Sequence, residues 1–396
     1  MRSLLSILAG ASLAAAWTEL SHAPFMNKNI DAIVQPGAYT SHMHTFFGSD
    51  AITNVLPTSA DLQTGCYTGD NPNDLSVYCA SFTPPTLSTQ LSHSQLTSAT
   101  GVPTLYHVDG DTYTEVPIFK FSTYYTNAFA TSPIPQDFAM LSGNASATTQ
   151  AEADNPYNNM EWFCEGSDAR ESNVAQMPSS TCDQHLQVNL VFPQCVNPDD
   201  HSDYDFADDS QACPEGMVSI PQLRYRVLYD TRSVAPSGWS GAAPFLLSCS
   251  DTLGAGYCFH GDFVNGWYED AAENMLANGG GGYTDGQFVA GSHGDSAVEA
   301  TCTAADQDPG NGTSDYLASL EMMAGGAAGD ETPTPTAALS TPAATVPAMT
   351  TTTTTTTPKP SATQAPDSRR RQKHRTGMQL GQQGKRSIGR ESKARL

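Results

Sequence analysis

The sequence predicts a mostly β protein: a single β-sandwich or jelly-roll-like domain with long loops, followed by a disordered tail. Three observations lead there. Several short runs alternate apolar and polar residues with a period of two, the spacing of a strand with one face in a core. Gly- and Pro-rich connections separate these runs, which favours many short strands over a few long elements. Helical periodicity is sparse, and Asp270 to Leu276 is its best stretch.

Taken in chain order, residues 1–16 read as a signal peptide: Arg2, an apolar run from Leu4 to Ala16, and small residues at Ala14 and Ala16 before Trp17. A β-rich domain is expected over residues 17–323. Within it Thr104 to Val108, the turn Asp109-Gly110-Asp111 and Tyr113 to Phe119 form a hairpin pattern. Leu186 to Phe192, Gln222 to Tyr229 and Pro244 to Leu247 are further strands. Ala80 to Gly101 looks foreign, with ten Ser or Thr in twenty-two residues, and reads as a surface insertion or a gene-model error. Residues 324–368 are a Thr/Pro/Ala-rich linker containing eight consecutive Thr, Thr350 to Thr357, too poor in large apolar groups to pack. Residues 369–396 are a basic disordered tail. No later stretch approaches the ~18 apolar residues of a membrane span, so the mature chain is expected to be secreted, extracellular or cell-wall associated.

The formal net charge of -23 conceals two opposite regions. Residues 17–358 hold six Lys or Arg against 39 Asp or Glu, whereas the last 38 residues hold eleven Lys or Arg and two acids. An acidic body repels nucleic acid and anionic surfaces, which leaves a neutral glycan or cell-wall polymer, a protein or a metal cation as partner. The basic tail reads as a disordered solvated segment, with binding to an anionic wall polymer or folding back on the body as the alternatives. Nine cysteines in an exported chain read as disulfides. Local loops would pair Cys66 with Cys79, Cys164 with Cys182, Cys195 with Cys213 and Cys249 with Cys258, leaving Cys302 over, although eight cysteines allow many connectivities. Asn144 and Asn311 open glycosylation sequons and imply surface loops.

Two histidine motifs carry the chemistry. In an extended segment alternate side chains share a face, so His42 and His44 project together, as do His260 and Asp262. If the fold joins the motifs, three imidazoles and a carboxylate suffice for a divalent metal site or for acid/base work. On the catalytic reading His260 or Asp262 is the general acid/base, while His42 and His44 bind metal or orient substrate. Asn265 and Trp267 would supply an amide and a ring to a sugar, and Arg224 a further contact; the competing reading makes Trp267 core and Arg224 an ion-pair partner. Glu161 and Glu165 form a second carboxylate pair, with nothing in their spacing to single them out. Asn197 to Asp205 is an acidic loop without the glycine and closing glutamate of an EF-hand. No nucleophile elbow, P-loop, dinucleotide fingerprint or His-Glu-x-x-His motif occurs.

Together these segments resemble the DUF1996 family of secreted, mainly fungal proteins. The family is marked by His-x-His-x-Phe-x-Gly (His42 to Gly48), Phe-Pro-x-Cys (Phe192 to Cys195), a later Cys-Pro (Cys213-Pro214), Ile-Pro-x-Leu (Ile220 to Leu223) and His-x-Asp-Phe-x-Asn-Gly-Trp (His260 to Trp267). Members are exported and some look joined by Ser/Thr-rich linkers to carbohydrate-binding or wall-associated modules, so the resemblance implies action on an extracellular or cell-wall polysaccharide, here through the His/Asp cleft. A non-catalytic glycan-binding or wall-structural protein and an extracellular metal-binding protein are the rivals. Asp200 and Asp203 stand here where relatives carry central histidines, so no role of those histidines transfers. The Ala80 to Gly101 stretch interrupts a segment that looks continuous in relatives, and Cys249 with Cys258 looks like an extra pair.

Overall fold

The computed structural model describes residues 17–79, 102–153, 160–167, 169, 171, 174–277 and 288–326. The expected signal peptide, the Ala80–Gly101 stretch, the expected basic tail and all of the expected 324–368 linker but its first three residues lie outside the described residues. The strands are β1 (Trp17–His22), β2 (Pro24–Lys28), β3 (His44–Gly48), β4 (Val77–Cys79), β5 (Val102–Pro103), β6 (Leu105–Asp109), β7 (Thr112–Glu115), β8 (Ile118–Thr126) and β9 (Ala139–Gly143). They continue with β10 (Met160–Cys164), β11 (Leu186–Val191), β12 (Cys195–Asn197), β13 (Asp200–Asp205), β14 (Val218–Ser219), β15 (Gln222–Tyr229), β16 (Phe245–Leu247) and β17 (His260–Val264). Short helices are α1 (Ser59–Leu62), α2 (Gln150–Ala153), α3 (Thr231–Val234), α4 (Glu269–Ala277) and α5 (Tyr316–Gly326).

Two antiparallel sheets make a sandwich. One has the order β1-β8-β15-β11-β10; the other runs β2-β3-β4-β17-β9, with β5 paired to β3. Alternation decides what lies between them. Phe47 from β3 stacks on Phe121 from β8 with centroids 4.1 Å apart. The Tyr78 and Tyr125 hydroxyls meet at 2.8 Å, satisfying each other inside an apolar layer. Gly261 of β17 faces this layer too, where a Cβ would stand 2.7 Å from Leu190 and 2.8 Å from Tyr225, so a glycine lets the sheets approach. The opposite face of the six-stranded sheet carries a second apolar cluster, with Ile30, Phe46, Ile52, Leu62, Val77, Cys79 and Val264.

The expected strands and the α4 helix are present, with informative differences. The Tyr113 to Phe119 run is two strands, because Pro117 has no N–H to continue a ladder and its carbonyl instead accepts from Asp230 N at 2.8 Å. Asn197 to Asp205 is no acidic loop: it belongs to the β12–β13 hairpin, where Asp203 accepts from Asn197 and Asp200 from Ser202, so these carboxylates serve the turn. Helix α5, absent from the sequence expectation, presents Tyr316 and Leu320 to Met43 and Tyr106.

The expected Cys66–Cys79 bridge is a correction. Cys66 pairs with Cys302, 236 residues away, and Cys79 is a buried free thiol; the other three pairings are as expected. Cys79 follows Val77 by two in β4 and therefore points into the second apolar cluster. The long bridge helps fasten the segment after residue 302 across the N-terminal strands. There Lys28, only 2 % exposed, is neutralised by both carboxylate oxygens of Asp306 at 2.7 and 2.8 Å and also donates to the Asp308 carbonyl. Asn144 and Asn311 are exposed, as their sequons imply.

Candidate metal centre

His44 opens β3 and His260 opens β17, two strands of one sheet, so both imidazoles stand on the face turned away from the sandwich interior. His42 precedes by two and joins them. The group comprises one nitrogen from each of His42, His44 and His260, all within 4.8 Å of one another. Ligands ~2.0–2.1 Å from an ion lie roughly 3.3–4.2 Å apart, so small ring movements close the set.

The surrounding main chain orients two of the rings. His44 Nδ1 is 2.7 Å from the Ile30 carbonyl, and His260 Nδ1 bonds the Cys258 carbonyl. A ring nitrogen facing a carbonyl must carry the proton, which leaves Nε2 with a lone pair. His44 Nε2 lies 3.0 Å from His42 Nε2, and His260 Nε2 has no hydrogen-bond partner. The Ile30 carbonyl is fixed by the turn after β2, where Asp31 accepts from the amides of Ile33 and Val34 at 3.1 and 2.8 Å. Gly143, at φ +90°, closes the other side: a Cβ there would fall 2.6 Å from His260 Cα.

Electrostatics keep the imidazoles neutral. Burial, then the neighbouring His44 and His260, holds His42 well below the ordinary imidazole value; burial and His260 do the same to His44. Burial lowers His260 to about 3. Neutral imidazole is the form that ligates, so no proton has to leave. Asp262 shares the face but stands outside the group of three. Both its carboxylate oxygens are buried without partners, and burial together with nearby Asp31 pushes its carboxyl well above the carboxylate range. Its cross-strand partner is Cys79, whose thiol is pushed up by burial and by Asp262 and Asp31. A neutral acid and a neutral thiol therefore lie beside the imidazoles.

The remaining expected site residues do not converge on the histidines as ligand contacts. Trp267 is fully buried and meets Tyr125 edge-on at 5.7 Å, so it presents no ring face to a sugar. Asn265 is equally buried, its amide donating to the Pro135 carbonyl at 2.7 Å and accepting from Trp267 N at 3.1 Å. Arg224 lies on the outer face of the five-stranded sheet with its guanidinium 4.7 Å from the Tyr124 ring centre, since Tyr225 beside it points inward to the Asp262 carbonyl. Glu161 bonds Asn189 and Glu165 bonds His185, away from the imidazoles. Asp31 and Cys79 were not foreseen here. The one hint for Asp31 was an acid between Ile30 and Ala32.

The chain is thus a disulfide-bonded β-sandwich with a buried group of three imidazoles. A family model described as a domain of unknown function, DUF1996, matches residues 31–267, and the chain belongs to this family. No curated protein and no solved structure matches it.

Proposed function

We propose that this is an extracellular divalent-metal protein whose ion is held by His42, His44 and His260. The observation that carries the reading is the convergence of three neutral imidazoles, two of them oriented by backbone carbonyls so that Nε2 is left to ligate. Export fits the leader-like N-terminus and the four disulfides, and no described helix is long and apolar enough to cross a membrane. A three-imidazole set leaves a fourth position, where a bound ion acts as a Lewis acid or lowers the pKa of water. The chain's own residues orient the rings and exclude solvent.

Metal binding is favoured over an open polysaccharide cleft by burial. His42, His44, His260, Asp262, Asn265 and Trp267 are each 3 % exposed or less, so a polymer has no direct contact with them. Metal analysis of protein purified without chelator is the test, with Co²⁺ substitution followed by visible absorption. Stoichiometric metal is expected, lost in His44→Ala and His260→Ala and kept in Arg224→Ala. Absence of bound metal, or equal metal in the histidine variants, overturns the reading.

A further inference from the structure

Phe119 is the most exposed large apolar side chain among the described residues, at 61 %, yet its ring is fixed. It stacks on His185 with centroids 3.9 Å apart and planes 13° from parallel. His185 Nδ1 bonds Glu165 at 2.6 Å. Arg226 approaches the other oxygen of Glu165 at 3.6 Å and donates to the Tyr124 hydroxyl at 2.9 Å. A chain of ring, imidazole, carboxylate, guanidinium and phenol therefore holds an aromatic surface open to solvent. A Phe this exposed gains little from burial, whereas a ligand that stacks gains from a ring already in place.

Beside the ring lies a cavity of about 410 Å³, lined among others by Ser21, His22, Asp70, Lys120 and Glu299. Its size falls within the ~300–1,000 Å³ of small-ligand sites. Lys120 is steadied by Glu19 at 3.0 Å, and Asp70 accepts from the Ser21 amide at 3.4 Å. His22, 6 % exposed, bonds Thr123 through Nε2 and has no hydrogen-bond partner at Nδ1. The lining is largely apolar, with Pro24, Ile118 and Phe119, and carries a few donors and acceptors of both charges, which suits a neutral ligand with apolar ring faces and hydroxyl edges better than an ion. The acidic body, 39 acids against six bases over residues 17–358, disfavours a polyanion in the same place.

We infer that Phe119 and this cavity form a binding subsite for a neutral glycan, with a sugar ring on the open side of Phe119 and its hydroxyls on Asp70, Lys120 and Glu299. The subsite is independent of the histidine centre. The experiment is native affinity electrophoresis of the whole protein in gels containing laminarin, yeast mannan or hydroxyethyl cellulose, with polygalacturonate and casein as comparison matrices. At least one neutral polymer is expected to retard the protein equally with and without EDTA. Affinity should fall about tenfold in Phe119→Ala, recover in Phe119→Trp, and be unchanged in Phe129→Ala, a control 53 % exposed elsewhere. Retardation by none of the neutral polymers, by polygalacturonate or casein in their place, or to the same degree in Phe119→Ala overturns the inference.

Discussion

Removing the Cys66–Cys302 bridge by the paired change Cys66→Ser and Cys302→Ser should cost more than removing any other disulfide. In the chain-entropy treatment stabilisation grows with the logarithm of the closed loop, so a separation of 236 residues corresponds to about 5–6 kcal/mol at 25 °C. The 18-residue separations of Cys164–Cys182 and Cys195–Cys213 correspond to about 3 kcal/mol each, and the nine residues of Cys249–Cys258 to slightly less. Against a total stability of roughly 5–15 kcal/mol, the long bridge is a large share. With an unfolding entropy of about 2.1 cal/mol/K per residue over a folded unit of roughly 300 residues, its loss lowers Tm by about 8–10 °C, against ~5 °C for a short bridge. Urea unfolding and calorimetry of the paired serine variants measure the difference. Non-reducing peptide mapping adds a direct check, since the Cys66 peptide must be joined to the Cys302 peptide. A loss no greater than that of the Cys195/Cys213 variant would refute the entropic argument, and a Cys66–Cys79 linkage would refute the topology.

Gly143→Ala should destabilise by at least ~3 kcal/mol in urea melts, because its φ is +90° and the new Cβ would meet the His260 backbone at 2.6 Å. Gly110→Ala, at φ +59° with nothing within 4 Å, should cost only about 1 kcal/mol; equal losses would contradict the packing described. His22 is lowered by burial to about 3, so as pH falls below the ordinary value of 6.5 the unfolded chain takes up its proton first and stability is lost down to that folded value. His22→Gln should reduce the slope of stability against pH between those limits by up to ~1.4 kcal/mol per pH unit, and an unchanged slope would mean that His22 is charged or exposed. Cys79, 1 % exposed and pushed up in pKa, should resist iodoacetamide at pH 8 until denaturant is added; labelling of the native protein would show that β4 is not buried.

Much of the sandwich was legible because its signals are local. Leu186, Val188 and Leu190 alternate with polar Gln187 and Asn189, and Leu223, Tyr225 and Val227 with Arg224 and Arg226, since one face of each strand lies in the interlayer core; the alternation ends at the register shift between Leu228 and Tyr229, both buried. His42, His44 and His260 were legible for the same reason, as period two places the first pair together. That the two motifs meet is a long-range fact, set by β3 and β17 belonging to one sheet. The failures are long-range as well. Loop economy favoured Cys79 as the partner of Cys66, whereas the face of β4 sends its thiol inward and Cys302 arrives from the far end of the chain. Asn265 and Trp267 resemble a sugar site in composition, whereas burial, the packing of Trp267 on Tyr125 and the bonds of Asn265 to Pro135 and Trp267 make them core. Asp31 gave almost no signal, because its work is to hold two amides of a turn.

The carbonyls of Ile30 and Cys258 that hold His44 and His260 have a consequence for how this group of imidazoles, the proposed ion site, can vary. Where carboxylate side chains orient ligating histidines, a point mutation can delete the acceptor and retune the ion. Here the acceptors are main chain, present whatever residue occupies those positions. Sequence drift at positions 30 and 258 reaches the imidazoles only by moving the path of the backbone, and at Cys258 that path is tied down by the bridge to Cys249. Natural variation in this centre should therefore appear as insertions, deletions and altered bridges in the flanking loops, with the rings themselves held in one orientation.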